Sequence, residues 1–158
     1  MSKKIKVIHI FGVVMFFGSI LGHAIAGIVS ASNNDPIVFN IVRQVIEVET
    51  HYLTFPGLCI FALTGIAMLI IDKRPILKIK WLAIHSIIGV IIILNAFFVL
   101  IPIGTELLSV SEKLVDGSVS LEHIHELKNK EAIFGALNIF ACIILIILAV
   151  IKPKFGGH

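Results

Sequence analysis

Four stretches of this chain are too long and too apolar for the core of a soluble domain; they lie at about 5–29, 52–71, 80–101 and 132–151. A hydrocarbon layer about 30 Å thick takes about 20 apolar residues to cross as a helix. Helices satisfy their own backbone polar groups there, which open segments cannot. The sequence therefore predicts an all-α integral membrane four-helix bundle in one domain. Composition agrees: 15% of residues are charged, against about 25% in soluble proteins. The first run imitates a secretory signal, with Lys3, Lys4 and Lys6 ahead of apolar residues. It exceeds the 7–15 residues of a signal core and carries two histidines, so it reads as a retained helix.

Punctuation between the runs sets the helices. Asp35-Pro36 is a helix start, with Asp as N-cap and Pro at the first position. No break follows until Ile71, which gives about 54 Å of helix, far more than the bilayer needs. Its first part opposes Ile37, Ile41, Val45 and Val48 to Asn40, Arg43, Glu47 and Glu49, so it is expected to project into water. A kink is expected near Pro56. The third helix is expected to start near Pro75, with Lys78, Lys80 and Trp81 at the interface, and to end before Pro102. A separate surface helix then runs from Thr105 to Val115, closed by Asp116-Gly117. The fourth helix starts around Ser120 with a charged portion and stops at Pro153. Helices 2 and 4 thus extend beyond the outer surface, with an outer cap at 33–50 and 105–130.

Nine of the 13 basic residues fall on the side of the termini. The positive-inside rule then predicts cytoplasmic termini in a bacterial-type inner membrane. The net charge of +3 is explained by these interface residues and gives no reason to expect nucleic-acid binding. Cys59 and Cys142 lie inside apolar runs without C-x-x-C spacing, as buried small hydrophobes do.

An ionisable residue inside a membrane is a functional hypothesis by default. His9, His23, His51 and His85 lie in or at the edge of the spans. At 1.5 Å per residue they sort by depth into an inner pair, His9 with His85, and an outer pair, His23 with His51. Stacked b-type haems require axial nitrogen ligands from facing helices in this way. One haem b is expected, and two if both pairs ligate. Glycines at 12, 18, 22, 27, 57, 65 and 89 would admit a flat macrocycle or a neighbouring backbone. The competing reading is isolated histidines hydrogen-bonded across the bundle. Asn95 and Asn138 read as interhelical glue, or as groups orienting a ligand histidine. On the cap, Glu47 and His51 share a helix face, and Glu122 with His125 makes one Glu-x-x-His. A di-iron centre needs two such motifs, so this region reads as a solvated acidic face, with a loose zinc or copper contact or a proton-transfer cluster as the alternatives. Gly18 and Gly22, four apart, offer a homodimer contact.

Several short motifs resemble a group of small four-helix membrane proteins. They are Lys6-Val7-Ile8-His9-Ile10 with Gly12, Phe16 and Gly18, then Pro56-Gly57 with Thr64-Gly65, and Leu77-Lys78-Ile79-Lys80-Trp81-Leu82. The ending Val150-Ile151-Lys152-Pro153 is similar as well. The group includes the CopD copper-resistance family and the HemJ-type protoporphyrinogen oxidases. The resemblance implies haem b, with His9 and Lys80 as the central pair and Lys80 near a propionate or substrate carboxylate. Ile20-Leu21-Gly22-His23 stands where the HemJ-type proteins have Y-L-P-R, so a sister family of unassigned chemistry fits better than porphyrin oxidation itself. The expectation is a haem-binding membrane protein passing electrons to or from a quinone or porphyrin, an oxidoreductase if it is an enzyme. The alternative is a transporter or accessory subunit that binds copper, zinc or a small molecule.

Overall fold

A computed structural model of the protein describes residues 3–32, 35–71, 79–118 and 121–153. It is helical throughout: α1 (Lys3–Ser32), α2 (Pro36–Glu49), a π-turn π1 (Thr50–Thr54), α3 (Phe55–Ile71), α4 (Lys80–Asn95), a second π-turn π2 (Ala96–Leu100), α5 (Ile101–Val115) and α6 (Leu121–Ile151). Four of these helical runs, Lys3–Ser30, Pro36–Ile71, Lys80–Val115 and His123–Ile151, are long and apolar enough to cross a membrane. Their outward faces are apolar, with residues such as Val7, Phe11, Leu63, Ile87 and Phe140 exposed. Such an exterior is stable only against lipid.

The expected start of the second helix is present in detail. Asp35 has extended backbone, its Oδ1 accepts the Ile37 N–H at 2.8 Å, and Pro36 follows as the first helical residue. The C-terminus of α5 is equally local in origin. Gly117 takes a φ of +72°, its N–H reaches the Leu114 carbonyl, and the Ser118 N–H reaches that of Lys113. Those two bonds are a Schellman cap, which needs the left-handed backbone that glycine adopts without penalty. The expected region around Asp72–Lys78, including Pro75, lies outside the described residues.

One expectation about prolines is corrected. Pro102 does not separate a span from an independent surface helix; α4, π2 and α5 run on as one helix. The second helix runs through Pro56 without a break, as expected. Proline lacks an N–H and its ring crowds the carbonyl four residues back. In both helices the preceding turn widens, and the residue just before the proline bonds five residues back, Phe55 to Thr50 and Ile101 to Ala96. A wider turn absorbs the ring without a break. The long third helix therefore joins helices 2 and 4 in forming the cap.

The bundle has two cores. Phe16, Ile20, Leu58, Phe61, Ile92, Ala96, Cys142 and Leu145 form the membrane core. Phe39, Leu107, Val110, Ile124 and Leu127 form a second one inside the cap, between α2, α5 and α6. In the first core α1 packs along α3 and α4 along α6, while α3 touches α4 little. Glycines set the α1–α3 approach. A Cβ on Gly12 would lie 2.7 Å from the Phe61 nitrogen, and one on Gly57 2.7 Å from that of Phe16. Backbone therefore lies on backbone, as in small-residue membrane crossings.

The opposed faces of α2 were expected, and the structure shows which one points inward. Arg43 and Ile46 are buried with Phe39, whereas Ile37, Ile41, Val45 and Val48 point outward. Arg43 is turned in because it has a partner there, described next.

Candidate functional site

Polar side chains gather in a belt between the two cores and in a smaller group near the termini. In the belt, Arg43 is 4% exposed and holds Glu131 of α6 through four N–H···O contacts of 2.7–2.9 Å. A guanidinium fork on a carboxylate is the geometry that offsets charge burial best. Beside it, Ser19 of α1 bonds Thr54 of π1. His23 Nε2 lies 3.5 Å from Ser19 Oγ and 3.4 Å from Glu49 Oε2. Gly22 makes room for that carboxylate, since a Cβ there would stand 3.1 Å from Glu49 Oε2. Across the bundle, Asn95 donates to the Asn138 side chain at 2.8 Å and to the Phe134 carbonyl at 3.1 Å. These asparagines clasp α4 to α6, which is the glue role.

The expected outer pair does not come together. His51 is 70% exposed and its Nδ1 donates to the Glu47 carbonyl at 3.1 Å, with Glu47 Oε1 at 3.3 Å. Glu49 faces His23, and a residue two positions on lies about 200° around a helix. Facing His23 with Glu49 therefore turns His51 away. The Gly18–Gly22 dimer contact is also changed, because Gly22 is covered by Glu49 of its own chain while Gly18 has open space around it. His125 is exposed, and His123 lies 3.5 Å from Glu106 of α5. Lys130 donates to Glu126 at 2.6 Å, which holds the Glu126 carboxyl below the ordinary carboxylate range. This part of α6 is a solvated face. Among the described residues no three His, Cys, Asp or Glu converge as a metal site would require.

The inner pair fares differently. His9 Nδ1 lies 3.1 Å from the Phe61 carbonyl and 3.0 Å from Thr64 Oγ1. A carbonyl only accepts, so Nδ1 carries the proton. Thr64 spends its own proton on the Ile60 carbonyl, so its oxygen is free to accept as well. The lone pair of His9 is thereby assigned to Nε2. Its ring is steadied by Phe61, centroids 5.4 Å apart, and lies over Gly65, where a Cβ would be in ordinary contact with it at 3.5 Å. His85 lies one turn before Gly89 on α4, where a Cβ would meet the Phe61 ring at 3.5 Å. It faces the Leu145 carbonyl of α6, and its Nδ1 is buried without a hydrogen-bond partner. Lys80 is exposed in the first turn of α4, five residues before His85.

A family model described as a predicted integral membrane protein, DUF2269, matches residues 3–153. The chain belongs to that family. No curated protein and no solved structure matches it. The DUF2269 match spans every helix described above and carries no statement of activity.

Sequence reasoning passed over three members of the belt. Ser19 and Thr54 are too common in helices to stand out. Glu49 was grouped with the solvated face of α2. The available signal for Glu49 was its place five residues before a threonine and seven before a proline, where a widened turn rotates the helix.

Proposed function

We propose that this DUF2269 protein binds one haem b at the end of the bundle that carries the termini, with His9 and His85 as the iron-facing residues, and takes part in membrane electron transfer. The observation that supports this is the state of the His9 ring. Metal-ligating histidines commonly donate their second ring N–H to a carbonyl, fixing the tautomer and leaving the other nitrogen for the metal. His9 has that arrangement through Phe61. Its neighbour His85 has a buried nitrogen without a partner, which costs about 1–3 kcal/mol if nothing binds it. A ligand there would remove that cost.

The residues also limit the reading. The Gly12–Gly57 crossing closes the space between α1 and α3, so a flat group belongs on the side of α4, where α3 makes little contact. A second haem finds no support, because His23 is engaged by Glu49 and His51 faces outward. When bound, haem would supply a one-electron carrier within the membrane. The chain's own part is to hold the His9 tautomer, to exclude water with Phe61 and Leu145, and to offer Lys80 at the water interface for a carboxylate. A quinone or a porphyrin is the corresponding exchange partner. The nine basic residues on the side of the termini support cytoplasmic termini in an inner membrane. The short motifs around His9 and Lys80 support kinship with the CopD and HemJ-like group.

The test is the reduced-minus-oxidised spectrum of protein purified from haem-replete cells. An α-band is expected, lost in His9→Ala and in His85→Ala and retained in His51→Ala. Colourless wild-type protein would overturn the reading, as would equal loss in all three variants.

A further inference from the structure

A histidine that ligates a metal gains basicity at one ring nitrogen when the other gives its proton to an acceptor. His9 Nδ1 has two acceptors on α3, the Phe61 carbonyl at 3.1 Å and Thr64 Oγ1 at 3.0 Å. We infer that Thr64 tunes the reduction potential of the haem site by setting how strongly His9 Nε2 donates. This rests on the haem reading above and names the residue that regulates it.

The Phe61 carbonyl is backbone, and a residue of any type at that position supplies it. Thr64 is the acceptor that a side chain adds. Its own proton is committed within α3, where the Ile60 and Phe61 carbonyls are both in reach. Whichever of them takes it, Oγ1 accepts from His9. A hydroxyl that donates is a better acceptor, and bonds in such a chain strengthen one another where the dielectric is low. Both residues lie inside the spans, His9 in Lys3–Ser30 and Thr64 in Pro36–Ile71.

A bond from threonine to the carbonyl four residues back is ordinary in helices. Thr105 makes it to Ile101 at 3.2 Å on an exposed face of the cap. Thr64 differs because the ring of another helix ends on its oxygen. That meeting is held in place by packing. Gly12 and Gly57 bring the backbones of α1 and α3 together, and the His9 ring rests on Phe61 at 5.4 Å between centroids. Hydrogen bonding behind an axial ligand is one of the few levers a protein has on haem potential, and at His9 this lever is Thr64.

The sign follows from charge. A more basic Nε2 stabilises ferric over ferrous iron and lowers the potential. Thr64→Val keeps the side-chain shape and removes one acceptor. The Phe61 carbonyl still holds the Nδ1 proton, so the tautomer survives and only the donor strength falls. Losing such a partner weakens metal binding by about 10–100-fold; with one acceptor remaining, about tenfold is expected for the ferric form. A tenfold change in that form alone raises a one-electron potential by about 59 mV.

The experiment is a redox titration of the full chain in lipid nanodiscs, followed at the haem α-band. A higher potential is expected in Thr64→Val, with faster loss of ferric haem to a haem-scavenging apoprotein. Thr64→Ser restores the hydroxyl and should return to the wild-type value, and Thr105→Val should leave it unmoved. In haem-free protein with isotope-labelled histidine, the His9 Nδ1 proton resonance, assigned by its loss in His9→Ala, should move upfield in Thr64→Val and not in Thr64→Ser. An unchanged potential or an unmoved resonance in Thr64→Val overturns the inference while the haem reading stands. So does a shift that Thr64→Ser fails to reverse, since that marks a packing effect. A wild type without an α-band overturns the haem reading, and this inference falls with it.

Discussion

Replacing Arg43 with methionine removes the guanidinium but keeps most of the side-chain volume. Glu131 is left facing an apolar cap, with its side chain 28% exposed. Breaking a buried ion pair from one side costs about 3–5 kcal/mol. The residual exposure of Glu131 lets water reach the carboxylate, so about 2–3 kcal/mol is expected for Arg43→Met. Loss of the cation–π contact with Phe39, 5.8 Å from the guanidinium carbon to the ring centre, adds about 0.5–1 kcal/mol. Glu131→Gln should cost more, toward the upper end of about 3–5 kcal/mol, because Arg43 is only 4% exposed and loses its counter-charge. The double variant Arg43→Met, Glu131→Leu should return to within about 1 kcal/mol of wild type, since apolar replacement of a buried pair is often neutral. The assay is equilibrium unfolding in mixed micelles, titrated with a denaturing detergent and followed by far-ultraviolet circular dichroism. Single variants within about 0.5 kcal/mol of wild type would refute the reasoning, because surface ion pairs of that worth are ordinary. A double variant worse than both singles would refute it too.

The glycines separate by position. Gly57→Ala should destabilise the bundle by about 1–3 kcal/mol in the same titration, because its Cβ meets the Phe16 backbone nitrogen at 2.7 Å. Gly18→Ala should stay within about 1 kcal/mol of wild type, since nothing lies within 4 Å of it; equal effects at both positions would contradict the α1–α3 crossing. Asn95→Leu should cost about 0.6–1.7 kcal/mol, the range for interhelical hydrogen bonds in membranes, and should leave any haem spectrum unchanged. A spectral loss in that variant would mean that the asparagine orients a ligand.

The spans and the Asp35-Pro36 start were legible because each rests on local composition or on one capping interaction. That His9 and His85 lie at one level was an estimate from depth alone, since a count of residues from the end of each span fixes level and leaves rotation open. Rotation is what the sequence concealed. Pro102 looks like a stop because an α-helix cannot pass a proline unaltered, and π2 is the third option, a turn that widens. Arg43 looks solvated until Glu131, 88 residues away, is brought opposite it. The amphipathic pattern of α2 was legible but its orientation was not, because periodicity gives two faces and does not say which faces inward.

The two π-turns explain why the polar belt sits where it does. Each ends two residues before a proline and each lies where a long helix passes from one core to the other. A widened turn frees carbonyls, and in a membrane freed carbonyls must find partners. Thr50 and Thr54 in π1 answer this by bonding back to Ile46 and Glu49, and Thr54 also meets Ser19 of α1. The same turn sets Glu49 toward His23 and leaves His51 outside. Asn95, immediately before π2, is the matching tie from the third helix to α6. The prolines therefore require the π-turns, and the π-turns in turn draw polar side chains to the boundary. The belt follows from carrying three long helices past the membrane core, independently of any cofactor. That leaves the His9–His85 group, which no π-turn requires, as the place where function is to be sought.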